Sequence, residues 1–221
     1  MAFERSLQAS TESILATNKV IKNTYMLLSA TLLFSALMAG VSIVTAMPPM
    51  TYLISIIGAI VLGMFVLPRT ANSSAGLGVI FLITGLLGFG LGAVLTMYLA
   101  LPRGPETIGL ALAGTGVIFL GLSGYALTTR KDFSFLGGFL FVGLLVALVA
   151  IVANIFLAIP ALSLAIGAAV ILIMSGFILF DTSRIIHGGE TNYIMATFSL
   201  YMSIFNIFIW LLHILGVMSD D

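Results

Sequence analysis

Long apolar stretches dominate this sequence and limit what it can fold into. A helix needs about 20 apolar residues to cross a hydrocarbon core of about 30 Å. Seven segments meet that requirement, and short polar or proline-containing breaks separate them. The predicted helices cover residues 24–46, 51–67, 77–100, 108–129, 135–157, 161–187 and 193–217. The pattern predicts an all-α polytopic membrane protein with seven transmembrane helices. The short second segment could be split or merged to give six or eight spans, but either change would scramble the distribution of basic residues described below.

The scarcity of charge supports a fold that faces lipid. Charged residues make up 7% of the chain and hydrophobic residues 61%, whereas soluble domains contain about 25% charged residues. Eight basic and eight acidic side chains are too few to cover the surface of a soluble protein of this length. The formal net charge is zero, so we expect the bilayer as the surrounding partner and no nucleic acid.

The positions of the basic residues predict the orientation. With the N-terminus inside, the inner segments hold seven of the eight lysines and arginines, and the outer segments hold only Arg103. Cytoplasmic loops carry an excess of Lys and Arg, so we predict a cytoplasmic N-terminus and an external C-terminus. Residues 1–23 then form a cytosolic tail, either weakly amphipathic or disordered, and residues 218–221 form a short external end. The first apolar run is longer than a signal-peptide core, so we expect it to remain as a span.

The last predicted helix carries a polar stripe. Ser199, Ser203, Asn206, Trp210 and His213 follow one another at spacings of 4, 3, 4 and 3, which places them on one helical face. Polar groups within a bilayer should face protein or a water-filled cavity. The seventh helix is therefore predicted to be central. Two interpretations of the stripe stay open: hydrogen bonding between helices, or the lining of a hydrophilic path.

Asp181 closes the apolar part of the sixth helix, and Arg184 follows at i+3. If this helix starts near Pro160, about 20 residues at 1.5 Å each bring Asp181 to the inner hydrocarbon boundary. Gly188 is typical of a residue that ends a helix. Asp181 either forms an interfacial ion pair with Arg184, worth a few tenths of a kcal/mol, or is a partly buried carboxylate whose protonation controls a function.

The titratable residues form no recognisable catalytic pattern. The sequence has no cysteine and two histidines, which excludes thiol chemistry and disulfides. Ser203 and His213 lie about 15 Å apart on one helix, too far for a hydrogen bond, and an HExxH motif is absent. We predict a protein that is not an enzyme and has no cofactor. Asp181 is the sole candidate contact for a metal ion.

Several long motifs resemble a known family. They are "TTRKDFSFLGGFL" (128–140), "VANIFLAIPAL" (152–162), "FDTSRIIHGGETNYIMATFSLYMSIFNIF" (180–208) and "NKVIKNTYMLLSATLLFSAL" (18–37). Together they resemble the bacterial, YccA-like branch of the Bax inhibitor-1 family. The resemblance implies a seven-helix fold with a central seventh helix in the bacterial inner membrane. It also implies a modulator or substrate of the FtsH AAA protease, which acts with HflK and HflC and would engage the N-terminal tail.

Other members of that family imply an alternative function, a pH-sensitive calcium or cation leak. In those members two aspartates on the last two helices share protons and pair with an arginine of the second helix. Asp181 matches the sixth-helix aspartate and Arg69 the arginine, with Arg184 as a further basic candidate. Ser203 stands where the second aspartate is expected. One carboxylate lacks the like-charge repulsion of a pair and offers calcium fewer oxygen ligands, which weakens this alternative.

Overall fold

The computed structural model describes the backbone of residues 2–219 and the side chains of residues 15–219. Within that range seven helices are long and apolar enough to cross a membrane, and no strand is present. The helices are α1 (Ala2–Val44), α2 (Met50–Thr70), α3 (Ser74–Leu99), α4 (Gly104–Thr129), α5 (Leu136–Leu157), α6 (Pro160–Ile186) and α7 (Tyr193–Ser219). The predicted all-α fold with seven spans is confirmed.

The first helix is longer than predicted. It begins at Ala2 rather than at residue 24 and continues to Val44. Its 43 residues give a length of about 65 Å, about twice the thickness of the hydrocarbon core. The predicted tail, residues 1–23, contains neither glycine nor proline, so nothing in it ends the helix before the membrane. Hydropathy detects the apolar part of a helix and misses a polar extension of the same helix.

The second helix is a single span with a π-helical turn at Leu62–Val66. Within it the N–H of Leu67 donates to the carbonyl of Leu62, five residues back. The next residue, Pro68, has no N–H and cannot make the usual bond to residue four earlier. The wider turn therefore carries the chain past the proline without a break, and the alternatives of six or eight spans do not apply.

Glycines let α3 approach α1 closely. A Cβ atom on Gly88 would lie 2.2 Å from the carbonyl oxygen of Ser35, and one on Gly92 would lie 2.3 Å from that of Ala39. Small residues permit such close contact in lipid, where van der Waals packing drives helix association. The GxxxG of the third span is thus a packing motif between α3 and α1.

The outer surface of the bundle is apolar, as a lipid-facing surface must be. Large side chains such as Phe139, Phe156 and Leu172 are between 73% and 84% exposed. A water-facing protein rarely shows such extended apolar area. Four glycines of α4 have open space around them and do not mediate helix contacts: Gly109, Gly116, Gly121 and Gly124.

The centre of the bundle is shared by α7 and α3. In their most apolar stretches 50% of the residues of α7 and 56% of those of α3 are buried, against at most 33% in the other helices. α7 packs against α1, α3, α4 and α6, whereas α5 packs against α6 alone among the described helices. The predicted central position of the seventh helix is therefore correct, but α3 is equally central.

Candidate functional site at the C-terminal end of the sixth helix

The C-terminal end of α6 joins several parts of the bundle. Residues 181–184, with the sequence DTSR, lie in its last two turns, and we call them the DTSR segment. Successive side chains on a helix point about 100° apart, so four consecutive residues reach in four directions. Three of the four are buried: Asp181, Thr182 and Ser183. The sequence of this short segment therefore decides how several elements meet.

Asp181 is hydrogen-bonded to the central helix. Its Oδ2 atom accepts a hydrogen bond of 2.5 Å from Ser199 Oγ, and the residue is 6% exposed. The two residues share a depth, because Asp181 lies five residues before the end of α6 and Ser199 six residues after the start of α7. Ionisable groups within a membrane domain are costly unless they have such a partner. Asp181 is therefore a buried carboxylate with a hydrogen-bond partner on α7, and not an exposed charge at the end of its helix.

Ser203 does not meet Asp181. It is 3% exposed and lies one turn deeper in α7, about 6 Å beyond Ser199 along the helix axis. It forms no hydrogen bond with Asp181 within the described residues. The hydroxyl group that contacts Asp181 belongs to Ser199, which the sequence pattern had assigned only to the polar stripe.

Arg184 has partners other than Asp181. Its Nη2 atom donates to the carbonyl of Gly189 at 3.2 Å and lies 3.7 Å from Glu190 Oε2. No ion pair between Asp181 and Arg184 is formed among residues 15–219, so the predicted i+3 pair is replaced by one with Glu190. The loop between α6 and α7 supplies this acid, and the loop is held to α6 as a result.

Arg69 lies at the C-terminal end of α2 and contacts its own helix. Its Nη1 atom donates to the carbonyl of Phe65 at 2.8 Å. It forms no ion pair with Asp181 in the part of the chain that the structure describes. Its assignment to a gating group with Asp181 therefore remains a prediction that rests on the family resemblance.

The remaining residues of the DTSR segment bond to other elements. Tyr25 of α1 places its hydroxyl 3.4 Å from Thr182 Oγ1 and in a short hydrogen bond with Ser123 of α4. Ser183 Oγ accepts a hydrogen bond of 2.9 Å from the N–H of Phe133, in the loop after α4. The segment therefore links α1, α4, α7 and two loops at one level of the bundle.

A cavity of about 240 Å³ lies beside the segment, lined in part by Asp181, Arg184, Glu190 and Ser199. Two carboxylates and a hydroxyl supply the oxygen atoms that calcium prefers, but calcium usually takes six to eight of them. A cluster of three or more acidic or histidine side chains is absent from the described residues. The cavity can hold water or a weakly bound cation and is not built as a tight metal site.

The core of α7 beyond this cavity is filled. Leu200, Tyr201 and Ile207 are each at most 1% exposed. The Tyr201 hydroxyl is hydrogen-bonded to Ser35 Oγ of α1 at 2.6 Å. A water-filled path along α7 is therefore closed at this depth in the structure.

Asn192 fixes the start of α7. Its Oδ1 atom accepts hydrogen bonds from the N–H groups of Ile194 at 2.9 Å and Met195 at 3.1 Å, the contacts of a helix N-cap. Its Nδ2 atom donates to Ala71 O at 3.0 Å and to Asn72 Oδ1 at 2.8 Å, in the loop after α2. One side chain thus caps the central helix and sets the depth at which it begins.

The polar stripe of α7 mainly faces α6. Ser199 bonds to the DTSR segment, and in the C-terminal half of α7 His213 Nε2 lies 2.8 Å from Ser163 Oγ. The ring of Trp210 packs edge-on against that of His213, and Asn206 donates to a carbonyl of α7 itself. Within the described residues Ser199 and His213 each bond to α6, as the first interpretation expects, whereas Asn206 bonds within its own helix.

The Ser163–His213 pair is a serine and a histidine at matched depth, which the sequence did not reveal. A nucleophilic serine also needs a third group to orient the histidine and donors that bind an oxyanion. No carboxylate bonds to His213 among the described residues, and its ring neighbour is Trp210. The pair is therefore explained by helix packing.

A family model matches nearly the whole chain. The model, described as inhibitor of apoptosis-promoting Bax1, aligns with residues 17–220. The chain belongs to the Bax inhibitor-1 family. The resemblance read from the sequence motifs is confirmed, and the seven-helix bundle with its DTSR junction is the fold of a member of this family.

Several relatives of this Bax inhibitor-1 family member share most of its length. A protein of Escherichia coli (strain K12) named "Modulator of FtsH protease YccA" is 53% identical over 209 residues, covering 95% of this chain and 94% of the relative. Its counterpart in Escherichia coli O6:H1, equally similar, is named "Inner membrane protein YccA". A membrane protein of Vibrio cholerae is 49% identical over 213 residues, covering 96% of both chains. These relatives are named as modulators or membrane proteins and not as enzymes.

Sequence reasoning missed three residues that organise this Bax inhibitor-1 family member. Asn192 could have been found, because asparagine directly before a helix is a usual N-cap. Ser163 could have been found by matching its depth from the outer end of α6 with that of His213 in α7. Tyr25 gave no comparable signal, since its contact with Thr182 depends on how α1 is rotated against α6.

Proposed function

We propose that this chain is a multi-pass inner-membrane protein that modulates an FtsH-type AAA protease and has no catalytic activity of its own. The observation that carries the proposal is the 53% identity, over 95% of the chain, to the protein named as a modulator of that protease. Such a role requires binding surfaces rather than a reaction centre. The filled core around Tyr201 also fits a binding protein better than an open pore.

The N-terminal part of α1 is the segment that we propose the protease engages. The helix is about 65 Å long, so it extends well beyond a bilayer of about 30 Å hydrocarbon thickness. With the N-terminus in the cytoplasm, as the basic residues favour, this extension projects on the cytoplasmic side. The proposal includes HflK and HflC as members of the same assembly, because the family resemblance implies them.

Deleting residues 2–14 is expected to lengthen the half-life of this protein in cells that contain the protease, because the segment to be engaged is lost. A pulse-chase measurement on the tagged full chain and the deletion variant tests this. Deletion of residues 220–221, on the proposed outer side, is the matched control and should leave the half-life unchanged. Overproduction of the full chain should also slow the decay of another membrane substrate of the protease. Unchanged decay of that substrate would contradict the proposed modulation.

A cation pathway is the second candidate function, favoured by the 240 Å³ cavity that Asp181, Glu190 and Ser199 line. Oxygen ligands at an inner-membrane boundary can receive a cation. The closed core at Tyr201 means that conduction would require movement of α7 or its neighbours. The Asp181 carboxylate and the Ser199 hydroxyl would then act in place of the aspartate pair of other family members.

Liposomes that contain the purified protein test the pathway directly. If the chain conducts, calcium entry should exceed that of empty liposomes, and Asp181→Asn should reduce it, because the carboxylate charge at the cavity is lost. Ser163→Ala removes a polar group near the outer end of the same helix and serves as the control, with flux retained. Flux equal to that of empty liposomes at both acidic and neutral pH would exclude this candidate.

A further inference from the structure

A second cavity lies where the inner parts of α1, α4 and α6 meet. Its volume is about 220 Å³, and it is distinct from the cavity beside Asp181. The polar residues that line it are Thr17, Asn18, Arg130 and His187. No carboxylate lines it, so its charged and polar groups are suited to an anion.

Arg130 has the most unusual position in this cavity. It is the C-cap of α4 with φ 50° and ψ 28°, in the left-handed region that glycine adopts with least cost. Its guanidinium has no ion-pair or hydrogen-bond partner among residues 15–219. Backbone conformation therefore favours glycine at this position and does not explain an arginine. The cavity explains the arginine, because its side chain brings five N–H donors to the cavity wall.

The surroundings of the cavity add positive charge. Lys131 follows Arg130, and Lys22 lies one turn after Asn18 on the same face of α1; both lysines are exposed. The nearest acid along the chain, Asp132, does not line the cavity, although its charge interacts with that of the cavity residue His187. Its Oδ1 atom accepts a hydrogen bond of 2.8 Å from the N–H of Ser134, which holds the pKa of Asp132 below its ordinary value.

The rest of the cavity wall is apolar. Ile21, Leu127 and Ile186 lie beside the polar groups, and the last two are within three residues of the inner ends of α4 and α6. An anion that binds here meets basic donors and hydrocarbon together, at the level where the helices leave the membrane. A phospholipid headgroup with its attached chains has both properties, whereas a free soluble anion has only the first.

We propose that this cavity binds the phosphate-bearing headgroup of an anionic phospholipid of the inner leaflet. Basic pockets between transmembrane helices on the cytoplasmic side are suited to such headgroups, and arginine pairs with phosphate through two parallel hydrogen bonds. Arg130 is the principal phosphate ligand, and Asn18 and Thr17 supply neutral hydrogen bonds. The site goes beyond protease modulation, and only the choice of leaflet rests on the proposed orientation.

Lipid binding to the full chain in detergent micelles tests the site. The unfolding midpoint, followed by fluorescence of the single tryptophan Trp210, is measured against added phosphatidylglycerol, phosphatidylcholine or inorganic phosphate, and the dissociation constant follows from the shift. Phosphatidylglycerol should raise the midpoint, and the other two should not. Arg130→Gly should fold at least as well as the original chain without lipid, because its backbone favours glycine. It should weaken phosphatidylglycerol binding by about tenfold or more.

Lys131→Gln is the matched control, because it removes the same charge one residue away from the cavity wall. It should weaken binding much less than Arg130→Gly, since Lys131 does not line the cavity. Arg130→Gln removes the guanidinium but keeps a side chain at the same position. If Arg130→Gly does not fold, the loss of phosphatidylglycerol binding is measured on Arg130→Gln instead. Equal stabilisation by phosphatidylcholine, or equal loss in Lys131→Gln, would overturn the proposed site. Equally tight binding of inorganic phosphate would assign the cavity to a soluble anion instead.

Discussion

Replacing Gly88 with valine is expected to destabilise the bundle by about 3 kcal/mol or more, enough to prevent folding of a marginal membrane protein. Even the first added atom, a Cβ, would lie 2.2 Å from Ser35 O and 2.6 Å from Ser35 Oγ. A backbone oxygen cannot rotate away as a flexible side chain can. Helices α1 and α3 would have to separate, and the contact that holds them together in lipid would be lost.

Gly78 of the same helix offers a matched control. A Cβ at this position meets nothing within 4 Å, so Gly78→Ala should be neutral or stabilise α3 by up to about 1 kcal/mol. Thermal unfolding of purified protein in detergent compares the two variants with the original chain. Similar midpoints for Gly88→Val and Gly78→Ala would show that the α1–α3 contact is looser than the structure indicates.

Asn192→Ala is expected to lower the free energy of unfolding by about 2 kcal/mol. The variant loses the N-cap of α7, worth about 1 kcal/mol. It also loses the two hydrogen bonds to Ala71 and Asn72. Each of these bonds contributes about 1 kcal/mol at most, because both are at least partly exposed to solvent. Hydrogen exchange should speed up first at the amides of Ile194 and Met195, which the Oδ1 atom of Asn192 caps.

Two variants separate the roles of this side chain. Asn192→Asp keeps the accepting oxygen of the cap but loses the donor to the loop after α2, so about half of the effect should remain. Asn72→Ala removes only the exposed partner and should have the smallest effect. If Asn192→Asp were as unstable as Asn192→Ala, the cap would contribute nothing and the bond to the loop would account for the whole loss.

The sequence predicted the elements of the fold well for a physical reason. A bilayer leaves helices and closed barrels as the available spanning structures, and their length is set by its thickness. Hydropathy therefore located seven spans, and the period of 3.6 residues placed Ser199 and His213 on one face of α7. The polar first half of α1 was not predicted as helix, because outside the bilayer hydropathy no longer reports helical structure.

The candidate site was predicted in part. Counting residues from the helix start predicted Asp181 near the inner boundary of the bilayer, and the structure places it in the last two turns of α6, 6% exposed. The hydrogen-bond and ion-pair partners of Asp181 and Arg184 were not predictable in the same way. Arg184 could reach either an acid in its own helix or one in the next loop, and only the path of that loop brings Glu190 to 3.7 Å.

By itself the sequence determined a seven-helix membrane protein of the Bax inhibitor-1 family, with a central polar helix and one aspartate near the end of the sixth helix. The tertiary structure alone decided that Ser199 rather than Ser203 meets Asp181, that Ser163 meets His213, and that Arg130 lines a cavity with α1. The physical reason is that periodicity specifies the face of one helix. The depth and rotation of two helices against each other are set by caps, loops and glycine contacts far apart in the chain.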